Sequence, residues 1–158
     1  MRLDAEYFSP VHREIATQLS GKVTATIVDV VSVSDGNHFS VSADYVDEGT
    51  PYYRGQDAVG NFFIEEASPN GITSAAFQRG YMSRSHLQSG DVLLSIIGTI
   101  GEASLVSSDR DATCSCKLAI LRPHNIRSEY LAVYLRTRHG RSQDHAQHAR
   151  RCSNGISS

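Results

Sequence analysis

Between Ser89 and Val106 the chain reads SGDVLLSIIGTIGEASLV, and no other stretch limits the fold as much. Two runs rich in Val, Leu and Ile flank Gly98-Thr99-Ile100-Gly101. Short apolar runs bounded by glycine read as strands, and glycines between them supply the positive φ that a turn needs. A phosphate loop of the Walker type needs a longer glycine loop that ends in Lys-Ser/Thr and opens a helix. A dinucleotide fingerprint needs Gly-x-Gly-x-x-Gly between strand and helix. Here the residues after Gly101 are EASLV, a strand pattern with no Lys-Ser/Thr. The stretch predicts strand, turn, strand.

The rest of the chain places further strands in the middle and helices at the ends. Ser9, Pro10 and Gly21 bracket a helix over VHREIATQLS. KVTATIVDVVSV, residues 22–33, is rich in β-branched residues and predicts one strand or two short ones. SDGNHFS follows as an Asp-Gly turn with a polar tip. From Val41 to Gly71 the chain reads as irregular, with turns at Gly49-Thr50-Pro51 and Asn70-Gly71. Ser83 to Gln88 predicts a short helix or turn. DATCSCKLAILRP predicts one strand ended by Pro123. Ser128 is the expected cap of a helix over EYLAVYLRTRH, closed by Gly140, with Leu131, Tyr134 and Leu135 as its core stripe. A polar helix, RSQDHAQHARR, is expected after it. The predicted class is α+β, a mixed strand-rich core with an N-terminal helix and C-terminal helices, in a single domain over residues 1–158.

Composition narrows the function classes. A chain of 158 residues with 40% hydrophobic content suits one ordinary globular domain. No apolar run is long enough to cross a bilayer and no N-terminal signal pattern is present, so no membrane partner and a cytoplasmic setting are expected. Three cysteines, Cys114, Cys116 and Cys152, do not make a disulfide framework. The formal net charge is -2, but it is unevenly spread. Residues 1–126 hold nine Lys and Arg against fifteen Asp and Glu, and residues 127–158 hold six against two. Thirteen of the fifteen cations are arginine. Codon bias in a GC-rich genome produces such a preference without any function, while the planar guanidinium also suits phosphates and guanine edges.

Catalytic patterns are missing from the sequence. There is no Gly-x-Ser-x-Gly elbow, no His-Glu-x-x-His and no paired Cys-x-x-Cys. Cys114 and Cys116, two apart in a predicted strand, are expected to point the same way as structural thiols. His145, His148 and Cys152 fall at i, i+3 and i+7, and a zinc site there would need a fourth ligand such as His139. That spacing matches no recognised zinc site, so a solvated basic helix is the default there. Asp35 near His38 imitates an acid–base pair, yet Asp-Gly-Asn-His is more often a polar turn. No catalytic residue, metal or cofactor is expected.

The order DGNH, GTPYYRGQDAV, LQSGDVLLSIIGTIGEASLV, CKLAILRP and SEYLAVYLRTRHGR, from about Val28 to Gly140, resembles the target-recognition domain of type I restriction-modification specificity (S) subunits. RLDAEYFSP at the start also resembles the lead-in of some members. The resemblance implies a DNA-reading domain with no catalysis of its own, which recognises half of a bipartite target. Its implied partners are double-stranded DNA, the DNA methyltransferase (modification) subunit and the restriction subunit. Asn37 and His38 occupy the Asp-Gly-x-His turn, and Arg54, Gln56 and Asp57 match the Arg-Gly-x-Asp segment. Thr99 sits at the hairpin tip and Lys117 begins the following strand. With Arg79 and Arg84 from the irregular stretch, these are the expected DNA contacts. Ion pairing within the protein is the competing role for Arg54, and an ordinary strand-edge charge for Lys117.

A complete S subunit carries two such domains and long spacer helices. This chain corresponds to one half, without a heptad segment after Gly140, and is expected to be a fragment or a natural half-subunit. Half-subunits can work as a homodimer on a symmetric bipartite site, and the missing spacer helices count against that dimer for this chain. Two other function classes stand beside DNA reading: an interaction module that binds a methyltransferase or restriction subunit without reading DNA, and a small hydrolase or metal enzyme built on Asp35, His38 or the tail histidines.

Overall fold

The computed structural model of the chain describes Glu14, Thr17, Gln18, Gly21 and residues 26–137. Of the expected N-terminal helix, Glu14, Thr17 and Gln18 are helical, and Gly21 takes a φ of 79°, as a glycine ending a helix does. The rest of that helix lies outside the described residues, as do Gly140, the polar tail helix, His139, His145, His148 and Cys152.

Eight strands form among the described residues: β1 Val31–Asp35, β2 Tyr45–Val46, β3 Thr50–Tyr53, β4 Asn70–Ile72, β5 Val92–Ser95, β6 Ala103–Leu105, β7 Thr113–Cys114 and β8 Leu118–Pro123. They make two four-stranded sheets, ordered β1-β8-β5-β6 and β2-β4-β3-β7. The first is antiparallel throughout, and in the second β3 and β7 pair in parallel. Helix α1, Ser74–Phe77, is a single turn, and α2 spans Ser128–Arg136.

The burial pattern explains the layering. The central strands of the first sheet, β5 and β8, carry unbroken apolar runs, because both their faces are covered. Val92, Leu94, Ala119 and Leu121 point to one face and pack with Leu131, Ala132 and Leu135 of α2. Leu93, Leu118 and Ile120 point to the other and pack with Tyr53, Ile64 and Cys114, between the two sheets. The outer face of the second sheet, through Tyr52 and Ile72, packs on Ala76, Phe77 and Met82. The layers therefore run α2, first sheet, second sheet, α1. The α+β class is the one expected, and its core stripe of Leu131, Leu135 and the partly buried Tyr134 is in place. No helix among the described residues is long and apolar enough to cross a membrane.

Four local expectations are corrected. The strand over 22–33 begins only at Val31, since Ile27–Asp29 forms a 3-10 turn whose Asp29 carboxylate accepts from the Thr26 amide and hydroxyl. The irregular stretch contains three strands, and Asn70-Gly71 is part of one. A Cβ on Gly71 would lie 2.8 Å from the Gly49 nitrogen, so glycine here permits close approach between neighbouring backbones instead of turning the chain. DATCSCKLAILRP is two strands in two different sheets, joined through a turn at Cys116-Lys117. Cys116 therefore lies in that turn, not in line with Cys114. The cap of α2 is Arg127, not Ser128, and the helix closes at Thr137.

Candidate nucleic-acid interface

Strand direction gathers four connections at one end of the molecule. β1 runs out at Asp35 and β5 at Ser95, beside the start of β8, with Asp35 opposite Ala119 and Ser95 opposite Leu118. β3 and β7, parallel and in register at Tyr53 and Cys114, also run out together. The segments that follow are stitched by backbone hydrogen bonds. The Asn37 amide donates to the Cys114 carbonyl at 2.7 Å, and the Cys116 amide to the Asn37 carbonyl at 2.9 Å. The Ser115 amide donates to the Tyr53 carbonyl at 2.9 Å, and the Ile96 amide to the Lys117 carbonyl at 3.0 Å. Residues 36–40, 54–58, 96–102 and 115–117 thus form one contiguous surface.

The expected site residues take different parts in it. Asn37 is buried: its amide nitrogen donates to the Phe39 carbonyl and its oxygen accepts from the Phe39 amide, holding the loop in shape. His38 is exposed and bonds to Asp35, whose second oxygen accepts from Arg84. The hydrogen bond from His38 is the main cause that holds the Asp35 carboxyl below its usual range, with the charge of Arg84 assisting. Asp57 is buried and accepts from the Arg54 amide at 2.7 Å, closing the 3-10 turn Gly55–Ala58. The Arg54 side chain is half-buried, its Nε 3.9 Å from the same carboxylate and without a hydrogen-bond partner. Gln56 is exposed on the turn. Lys117 is exposed at the neighbouring turn, its Cβ 3.5 Å from where a Cβ of Gly55 would stand, and it pairs with no carboxylate among the described residues. Thr99 is exposed in the β5–β6 loop, between Gly98 and Gly101 at φ values of 88° and 87°.

Arg79 stands at the rim. Both its terminal nitrogens donate to Asp44 at 2.7 Å, and one also donates to the Tyr81 hydroxyl at 3.1 Å. Tyr81 lies against Phe39, ring centroids 4.4 Å apart, which links this rim to the His38 loop. The exposed Phe39–Tyr81 pair lies outside the residues that the sequence motifs single out. Phe39 is an apolar residue at the tip of a predicted polar turn, and that was the available signal. Nothing near Tyr81 in sequence marks it. The sequence also gives no sign that Ser95 and Ser115 place buried hydroxyls without hydrogen-bond partners beside Arg54 and Lys117.

Residues 26–137 hold eight Lys and Arg against thirteen Asp and Glu. At this end Arg54, Arg79, Arg84, Lys117 and His38 face Asp35, Asp44 and Asp57. Such a balanced surface suits the reading of hydrogen-bonding base edges better than a purely electrostatic grip on phosphates. No group of three His, Cys, Asp or Glu that can hold a metal ion exists among the described residues.

The two described cysteines are free. Burial pushes the Cys114 thiol far up, away from its reactive thiolate, whereas Cys116 is half-buried in the surface turn. A thiol reagent under native conditions is expected to label Cys116 and leave Cys114 unmodified until the fold is unfolded, as peptide mass mapping will show. Labelling of Cys114 at the same rate would contradict the buried seam between the sheets.

Solved structures share this fold. The HsdS subunit from Thermoanaerobacter tengcongensis aligns with a TM-score of 0.58 at 17% identity, covering 85% of this chain and 33% of that one. A chain from a type I R-M system, solved for its complex assembly and conformational transition, aligns with a TM-score of 0.53 at 18% identity, covering 79% of this chain and 34% of that one. The chain spans about a third of the length of these structures. No protein-family model and no curated protein matches it. The fold implied by the sequence resemblance is the fold observed.

Proposed function

We propose that this chain is a sequence-specific DNA recognition module of a type I restriction-modification system. It reads a half-site in duplex DNA and performs no catalysis. The observation that carries this reading is the gathering of four connections, with exposed His38, Gln56, Thr99 and Lys117 on them, at one end of a fold shared with an HsdS subunit. Exposed His38, Gln56, Arg84, Thr99 and Lys117 are the proposed contacts, and Asn37, Arg54, Asp57 and Arg79 shape the surface that presents them. The methyltransferase and restriction subunits are the proposed partners in the cytoplasm, where two copies of the module would read a symmetric site.

Selection from a randomised duplex pool near physiological salt tests the reading. An enriched half-site of a few base pairs is expected. Lys117→Ala is expected to weaken binding to all sequences alike and to reduce the slope of log affinity against log salt by about 1, the signature of one lost phosphate contact. The acidic balance of residues 26–137 favours one other reading, an interaction module that binds a methyltransferase or restriction subunit without reading DNA. A folded chain that enriches no motif, alone or with a methyltransferase subunit, would establish that reading instead.

A further inference from the structure

We infer that Arg84 reads a guanine in the major groove and that Asp35 is its positioning residue, an assignment that rests on the DNA-reading function above. Arg84 comes from the 3-10 turn Gly80–Ser85 and meets Asp35 at the end of β1, 49 residues away in sequence. Its side chain is 72% exposed, and the contact uses one terminal nitrogen, Nη2, on one carboxylate oxygen. The other oxygen of Asp35 is held by His38 Nε2, so the carboxylate is gripped from two sides. The guanidinium is thereby anchored through one hydrogen of Nη2, while the second Nη2 hydrogen and the adjacent nitrogen on that side are left to donate as a two-pronged fork. Guanine presents O6 and N7 as a pair of acceptors that such a fork matches. Anchoring in advance removes part of the ordering cost that a free arginine would meet on binding.

The other arginines near this end present less of their side chains to solvent, 40% for Arg79 and 34% for Arg54. Arg79 spends its fork on Asp44 and Tyr81. Arg54 is half-buried against Asp57. A phosphate is the poorer ligand for Arg84, because it would bring its charge beside the ionised Asp35 carboxylate. A neutral base edge carries acceptors without that repulsion. The exposed, paired rings of Phe39 and Tyr81 come from the same segments, Tyr81 from the 3-10 turn that carries Arg84 and Phe39 from the residue after His38.

The test is the same duplex selection, run on the intact chain and on Arg84→Ala, Arg84→Lys, Asp35→Asn and, as a control at the opposite end of β8, Arg127→Ala. The intact chain and Arg127→Ala are expected to enrich one motif with a position fixed as guanine. Arg84→Ala is expected to lose preference at that position alone, by about ten- to a hundredfold, the range of one bidentate base contact. Arg84→Lys, which keeps the charge but not the fork, is expected not to restore it. Asp35→Asn is expected to reduce the preference partly while urea midpoints confirm folding. An unchanged motif in Arg84→Ala, or an equal loss of affinity for all sequences, overturns the assignment while leaving the DNA-reading function in place. Failure of the intact chain to enrich any motif overturns both.

Discussion

Replacing Arg122 with methionine is expected to lower the stability of the fold by about 3 kcal/mol, measured as a shift of the urea unfolding transition at constant slope. The Asp91 side chain is only 1% exposed. Its carboxylate accepts from Arg122 Nε and Nη2, both at 2.8 Å, and from the Gln88 amide at 2.8 Å. The same pairing pushes the Arg122 guanidinium up from its ordinary value, chiefly through the hydrogen bonds to Asp91. Methionine would fill much of the arginine volume and leave a buried carboxylate with one backbone donor. Breaking a buried pair in this way costs about 3–5 kcal/mol, because an uncompensated charge remains inside. The lower end applies here, since the Arg122 side chain is 43% exposed and water reaches it. Removing both charges, with Asp91→Leu added to Arg122→Met, is expected to regain at least about 1 kcal/mol. A wild-type transition for Arg122→Met would show that the pair contributes nothing.

Gly36→Ala is expected to cost about 2–3 kcal/mol and to abolish any sequence preference. A Cβ at this position would lie 2.2 Å from the Ser115 carbonyl oxygen and 2.7 Å from that of Cys114. Both are backbone atoms between two strands, so no side-chain rotation relieves the clash. The 36–40 segment would have to leave the 115–117 turn, breaking the hydrogen bonds that Asn37 makes to Cys114 and Cys116. Displacement of Asn37 would carry His38 with it and release the grip on Asp35 and Arg84. Thermal unfolding and duplex selection on the same sample read both effects. A variant that melts and selects like the parent would mean that the segment does not depend on this contact.

Much of the candidate site was visible in the sequence, but its geometry was not. DGNH, Arg54-Gly55-Gln56-Asp57, Thr99 and Lys117 were marked by turn chemistry and by the family resemblance, and the strand ends bring all of them to one place. Their division into parts was hidden. Asn37 and Asp57 look like polar surface residues in a string of letters, and in the fold both are buried and hold backbone in shape. Asp35 looked at most like half of an acid–base pair, and its role as the anchor shared by His38 and Arg84 depends on a contact across 49 residues.

Features that depend on neighbours a few residues away can be read directly from the order of residues. The β5–β6 hairpin follows from two apolar runs and from Gly98 and Gly101, which take the positive φ a turn requires. The buried stripe of α2 follows from spacing at three and four residues, which places Leu131 and Leu135 on one face. Which sheet each strand joins is set by long-range contacts. Thr113–Cys114 and Leu118–Pro123 have the same local character, yet one extends β3 in parallel and the other becomes the centre of the first sheet. Local propensity favours an extended backbone at both places without choosing a partner. The partner is settled by long-range hydrogen bonding and by which faces can be buried together, and those same pairings bring the loops of the candidate site to one end.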